Sequence, residues 1–362
     1  ALVERRCGFL RQDFEKMTRV IFPLSASAPR SAPMSDGAHG AEDSRGADLA
    51  HGKDFVRKME ALGGGFCAAL AALSAPFADA SGGRCAGRAG SQIAVTFDIP
   101  AGVSIEEGVR YFPDCPDPDV KLDVYYPNEK FKGGKGPYPC VLAIHGGGWS
   151  MGDEKKYAMM AAFLASRGYV VACTTYRLRP EYSMEDCAYD VKKALWWLKK
   201  NAARFGGDPL RTGVVGGSSG GVMAVQLAAT SGSFWSSGIF GGADDSVQAC
   251  VAMAAGCDMT NLRRFRRMFG GDRAKAARYS PYSYLTPAMP PVLLLHAERD
   301  PAVVSGESRM LKSALDALGT ECESVFYDCA DHAFWNVKPD DPFRLRSWED
   351  AANFFDRKLK GK

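Results

Sequence analysis

The stretch VVGGSSGG, residues 214–221, decides how the rest of the chain is read. Two valines lead into a run of glycine and serine, and VMAVQLAAT follows with residues suited to a helix, so the segment reads as a β-strand turning sharply into a helix. Small residues on both sides of a serine let the backbone fold tightly enough to present the hydroxyl at the tip of the turn, as a serine nucleophile requires. Ser218 and Ser219 each centre a Gly-x-Ser-x-Gly, so the turn alone leaves two candidates. A loop that cradles phosphate has the same composition, and the decision passes to the surrounding sequence.

Working outward, KLDVYYP (121–127) alternates with period two, and CVLAIH (140–145), YVVACTTY (169–176) and VQACVAMAA (247–255) are short apolar runs suited to buried parallel strands. PPVLLLHAERD (290–300) and ECESVFYDC (321–329) add two more strands. Between them lie helical patterns: YAMMAAFLASRG closing on Gly168, a helix opened by a capping box at Ser183–Asp186 and faced by Val191, Ala194, Leu195 and Leu198, then ESRMLKSALDALG and SWEDAANFFDRKL. Strands alternating with helices predict an α/β fold, a mostly parallel central sheet with helices on both faces. Function is then expected at the C-terminal ends of the strands.

Three strand ends carry matching chemistry. His145-Gly146-Gly147-Gly148-Trp149 follows CVLAIH, and consecutive glycines can turn N–H groups toward one point, as an oxyanion hole requires. Asp300 closes the VLLLHAERD run, with Glu298 as an alternative acid two residues earlier. Of the three histidines after residue 100, His145 belongs to the glycine run and His296 falls in a strand, which leaves His332 in ADHAFW as the loop candidate for a base. Serine, acid, histidine is the chain order of the hydrolase nucleophile turn.

With these segments in this order the chain resembles the α/β-hydrolase superfamily, in particular the secreted bacterial esterases grouped with feruloyl and acetylxylan esterases and related to hormone-sensitive-lipase-like carboxylesterases. The resemblance runs from about Lys121 to Lys358 and rests on LDVYYP, HGGGWSMGDEKKY, TTYRLRPE, DVKKALWWLKKNAARFGGDP, GGSSGG, YSPYSYL, PPVLLLHAERDP and DHAF. It implies that Gly216 to Gly221 hold the family's Gly-x-Ser-x-Gly-Gly, with Ser218 as nucleophile and Ser219 in the usual alanine position. It also implies Asp300 and His332 as acid and base, and the N–H groups of Gly147, Gly148 and Ser219 as the oxyanion hole. Ala297 departs from the family's glycine in the turn before the acid. Trp149 and Trp335, beside the glycines and the base, are candidates for substrate contact, whereas Trp196 and Trp197 read as helix packing.

The resemblance implies a serine carboxylic-ester hydrolase for short acyl or aryl esters, on a small-molecule or polysaccharide substrate, with no metal or organic cofactor needed. Amide cleavage of the arylformamidase or serine-peptidase type is the alternative, and a non-catalytic binding protein would be marked by a missing triad residue. Composition agrees with a small or neutral partner: 45 basic against 42 acidic residues give a net charge of +3 and no footprint for nucleic acid. Arg263, Arg264, Arg266 and Arg267, in a polar insertion over 258–286, read as a solvated face.

Residues 1–55 read as disordered or as an over-extended start. Residues 56–80 combine Arg57-Lys58, the apolar ALGGGFCAALAALSAPF and Ala78-Asp79-Ala80 in the order of a secretory signal peptide, too glycine-rich for a stable membrane span. The catalytic domain is therefore expected over 81–362, and the protein is expected to be secreted or periplasmic.

Overall fold

Among the described residues, eight strands form one sheet in the order β1-β2-β4-β3-β5-β6-β7-β8. They are β1 (Val103–Val109), β2 (Leu122–Pro127), β3 (Tyr138–Ile144), β4 (Val170–Thr174), β5 (Gly207–Gly217), β6 (Ala249–Met253), β7 (Val292–Ala297) and β8 (Cys322–Tyr327). The structure is a computed structural model and describes residues 99–231, 244–260, 268–336 and 341–361. The segments 1–55 and 56–80 and the arginines 263, 264, 266 and 267 lie outside the described residues.

From β4 to β8 the strands run parallel, while β1 and β2 are antiparallel additions at one edge. The apolar runs form the buried centre because both faces are covered. Cys140, Leu142 and Ile144 of β3 join one core with residues of α2 (Met184–Asn201), α3 (Ser219–Ala229) and α5 (Gly306–Leu318). Val141 and Ala143 join the opposite core with α1 (Ala158–Ala165) and α6 (Pro342–Leu359). This is strict period two, and β6 and β7 repeat it. A further helix, α4 (Arg273–Tyr279), lies in the expected insertion.

The order of strands places the site. The chain passes from β3 through α1 to β4 on one side, then through α2 to β5 on the other side of β3, so the crossovers leave by opposite faces and open a crevice above the ends of β3 and β5. Ile144 is in register with Gly216, which brings the His145–Gly148 run beside Gly217 and Ser218.

Three elements differ from the sequence reading. β1 carries Ser104, Glu106 and Glu107 and sits at an edge where a polar face is tolerated, so no apolar run announces it. β5 begins at Gly207, before RTGVVGG, because a register shift at Pro139/Cys140 lets Gly207 and Asp208 pair with β3. α6 begins at Pro342, where Asp341 caps by accepting from the Phe343 N–H at 2.9 Å, five residues ahead of SWED.

The loop after β4 is fixed by a buried ion pair. Asp190, on α2, is 0 % exposed and accepts from the Arg177 N–H (2.9 Å), Nε (2.8 Å) and Nη2 (2.8 Å). Arg177 also meets Asp186 at 2.7 Å, and the Arg179 N–H, two residues on, donates to the Trp149 carbonyl at 2.8 Å, so this clamp reaches the glycine loop. Removing one member of such a pair strands the other charge. Asp190→Ala should therefore lower the unfolding free energy by about 3 kcal/mol or more in a urea titration; a loss below about 1 kcal/mol would class the pair with solvent-exposed bridges.

Candidate active site

Ser218 stands between β5 and α3 at φ 55°, ψ −122°, a left-handed conformation that a side chain adopts only under constraint. Its N–H donates to the Met253 carbonyl at 2.8 Å and its carbonyl accepts from Val222 at 3.0 Å. Neighbouring glycines are dictated by crowding. A Cβ on Gly217 would lie 2.1 Å from the Trp335 ring, and one on Gly220 would lie 2.1 Å from the Ile144 carbonyl oxygen. Ser219, in the first turn of α3, is 3 % exposed with its hydroxyl buried.

This turn brings three of the sequence-predicted residues together. His332 Nε2 lies 2.9 Å from Ser218 Oγ, and His332 Nδ1 lies 2.7 Å from Asp300 Oδ2. The other carboxylate oxygen accepts from the N–H groups of Ala302 (2.8 Å) and Val303 (2.9 Å). Burial would push the Asp300 carboxyl up, but hydrogen bonds from His296, His332 and the Val303 N–H outweigh it and hold the group well below the usual carboxylate range. With an anion at Nδ1, the Nδ1 proton is retained and Nε2 is left to accept from the serine hydroxyl. Glu298, the alternative acid, is exposed and pairs with Arg309 instead.

Across the crevice, Gly147 (φ 129°) and Gly148 (φ 63°) make the turn after β3, and Trp149 continues it at φ 60°. His145 anchors the loop. Its ring stacks on Tyr176 at 4.3 Å and 11°, and the Tyr176 hydroxyl donates to the His145 carbonyl at 3.0 Å. Burial lowers the His145 pKa to about 4, so the ring is neutral at pH 7, and its Nδ1 sits 2.9 Å from the Gly146 carbonyl.

The two tryptophans expected to contact substrate are turned inward. Trp149 is 1 % exposed and belongs to the core with Tyr176 and Val222, because the loop drives its ring under the strand ends. Trp335 is 3 % exposed; it lies against Gly217 and meets Phe334 edge-on at 5.0 Å and His332 at 6.1 Å. Neither ring is open to a ligand, and both act as supports. Trp197 is half-buried against the core, and Lys200 lies 4.8 Å over the Trp196 ring.

The sequence reading gave Tyr176 and Glu307 no role and set His296 aside as a strand residue. Each lies in or beside an element chosen for its apolar pattern, and only the fold turns them toward the crevice loops. Glu307 is 5 % exposed, and burial with the neighbouring Asp258 pushes its carboxyl up to about 7. Among the described residues no group of three or more His, Cys, Asp or Glu is placed to hold a metal ion, and no helix is long and apolar enough to cross a membrane.

The sequence pattern of the BD-FAE family matches residues 122–315, more than half of the chain. The chain belongs to the BD-FAE family. This BD-FAE chain has the α/β-hydrolase fold and overlays a truncated carbohydrate esterase from gut microbiota with a TM-score of 0.62 at 22 % identity, over 71 % of this chain and 96 % of the other. An esterase from Thermogutta terrifontis gives 0.59 at 23 %, over 72 % and 93 %, and that protein is also known bound to propionate, bound to butyrate and phosphorylated by paraoxon. Esterase LipQ of Mycobacterium tuberculosis is 29 % identical over 211 residues, 54 % of this chain and 50 % of LipQ. The BD-FAE chain spans about half the length of the curated relatives it matches.

Two measurements test the geometry. Ser218→Ala should cut ester hydrolysis by about 10³-fold or more, while Ser219→Ala keeps most of it, since the Ser219 hydroxyl is buried away from His332; a live Ser218→Ala beside a dead Ser219→Ala would reverse the assignment. Because Asp300 is depressed in the folded state, its contribution to stability is present above the unfolded carboxyl pKa of about 3.9 and is lost as pH falls toward the folded value. The urea midpoint of Asp300→Asn should accordingly fall less between pH 5 and pH 2.5 than that of the parent protein.

Proposed function

We propose that this BD-FAE chain is a serine carboxylic-ester hydrolase acting on short acyl or aryl esters, among them acetylated or feruloylated polysaccharide. The observation that carries the reading is the continuous relay from Ser218 Oγ through His332 (2.9 Å) to Asp300 (2.7 Å) at the tip of the β5–α3 turn.

In this mechanism His332 Nε2 takes the Ser218 proton as Oγ attacks the ester carbonyl, and the imidazolium is held by Asp300. The negative oxygen of the tetrahedral intermediate is met by the N–H groups of Gly147, Gly148 and Ser219. His332 then protonates the leaving alcohol, and in the second half it activates the water that releases the acid.

Several features support a small acyl group and a polar alcohol. The described part of the insertion, residues 258–260 and 268–286, buries Met259, Phe269 and Tyr279 and exposes Arg273, Lys275 and Arg278 on the seven-residue α4, so among the described residues it presents a charged face and no broad apolar cover for a long chain. Beside His332 an open groove of about 610 Å³ is lined by Pro301, Cys329, Asp331, Asp341 and Phe343, a mixture suited to a hydroxylated or aromatic leaving group. The Thermogutta relative's propionate and butyrate forms agree with a short acyl side. Export to the periplasm or beyond is part of the proposal and rests on the pattern over residues 56–80.

Acetyl and butyryl p-nitrophenyl esters should show kcat/KM at least about tenfold above the palmitoyl ester, a difference of transition-state fit. A faster palmitate reaction would remove the small-acyl reading. Acetate or ferulate release from decorated xylan tests the polysaccharide step; no release there, with N-formylkynurenine cleaved, transfers the function to amide hydrolysis.

A further inference from the structure

His296 lies in the middle of the described molecule, 0 % exposed, in a strand chosen for its apolar residues. A histidine so placed needs partners for both ring nitrogens. Nδ1 is 2.7 Å from the hydroxyl of Ser308 on α5, itself 1 % exposed. Nε2 is 2.9 Å from the Val303 carbonyl oxygen and 3.4 Å from Asp300 Oδ2, the same oxygen that receives His332 Nδ1 at 2.7 Å.

These contacts fix the proton positions. Val303 O and the Asp300 carboxylate are both acceptors, so Nε2 carries a hydrogen and points it between them. In the neutral ring Nδ1 is then an acceptor, and the Ser308 hydroxyl donates to it. Val303 is held a second time, because its N–H donates to Asp300 Oδ1 while its carbonyl receives Nε2. The 300–303 turn is thereby closed on itself around one imidazole. Other titratable groups carried by elements around β7 are engaged elsewhere: Tyr327 of β8 donates to Asp350 at 2.7 Å, Glu307 of α5 lies in the field of Asp258, and Cys250 of β6 is in the core.

We infer that His296 and Ser308 form a positioning pair for the acid: Ser308 fixes the His296 tautomer, and His296 Nε2–H fixes the Asp300 carboxylate and its turn in the orientation that His332 uses. The inference rests on the Ser218–His332–Asp300 reading proposed above. His296 touches neither substrate nor the reacting atoms; it acts on the direction and the charge of Asp300. With the Nε2–H present, part of the field of the carboxylate is spent on His296. Without it, that field falls on His332 alone, so His332 holds its proton to higher pH while its ring is less well directed.

The test is the pH profile of kcat/KM for p-nitrophenyl acetate in His296→Leu, His296→Gln and Ser308→Ala, beside the parent protein and Ser218→Ala. His296→Leu should lose about tenfold or more in kcat with KM within about twofold, and its acid limb should move to higher pH by about half a unit or more. His296→Gln, which can return an N–H to the same place, should recover most of kcat and the parent limb. Ser308→Ala should shift the limb in the same direction by less. If His296→Leu folds and keeps the parent kcat and limb, or loses kcat only in proportion to its folded fraction with the limb unmoved, the inference is overturned. If His296→Leu does not fold, Ser308→Ala decides, a shifted limb supporting the pair and an unmoved one overturning it. Failure of the underlying reading is distinct, because it would appear as an active Ser218→Ala whatever the His296 variants do.

Discussion

Everything at this site depends on the close approach between the end of β3 and the first turn of α3. Gly220 lies so near the Ile144 carbonyl that no side chain fits between them, and Gly217 lies equally close to the Trp335 ring. Ser218, held between these contacts, takes a backbone conformation that costs about 1–3 kcal/mol and persists only where the surroundings over-determine it. That conformation sets the hydroxyl at the tip of the turn, within reach of His332. A relaxed turn would carry the same residues and leave Oγ away from His332.

Around that turn the molecule divides its labour. Apolar side chains on both faces of the sheet make a rigid platform, since packing alone fixes where strands end but not how the loops beyond them are directed. Direction comes from buried polar groups with complete or nearly complete partnerships. Arg177 and Asp190 clamp the loop after β4, which reaches Trp149 through the Arg179 N–H. Tyr176 holds the His145 carbonyl and stacks on its ring. On the far side, Asp300 is gripped by two main-chain N–H groups in its own turn. Each device would be costly if half made, which favours one arrangement of the loops over its neighbours.

The sequence makes some of this legible and hides the rest for physical reasons. The strands β3 to β7 show because the stretches of them that are buried on both faces are mostly apolar. The turn at 216–221 shows because close approach demands glycine. His332 emerges by elimination, since His145 belongs to the glycine run and His296 to a strand. β1 stays hidden because an edge strand has no need of an apolar run, and the start of α6 because Asp341 and Pro342 open it before any apolar period begins. The inward turn of Trp149 and Trp335 follows from the path of their loops, which adjacency in sequence does not encode. His296 is hidden twice, being polar in a strand read for its leucines and having partners 7 and 12 residues away on other elements.

The three histidines of the described region show why geometry has to complete the argument. As residue types they are interchangeable, and each lies at or within a few residues of the C-terminal end of a sheet strand. His145 is buried with a tyrosine ring against it, and burial outweighs the hydrogen bond to the Gly146 carbonyl and the field of Asp153, so the ring stays neutral. His296 is equally buried but has acceptors at Nε2, which fixes one tautomer and commits the ring to holding other groups in place. His332 alone combines a buried anion at Nδ1 with a side chain 24 % exposed, leaving Nε2 free to face a serine on one side and an entering ligand on the other. A base must be able both to gain a proton and to be reached. Of the three environments only that of His332 allows both, and it is the β5–α3 turn that puts Ser218 within its range.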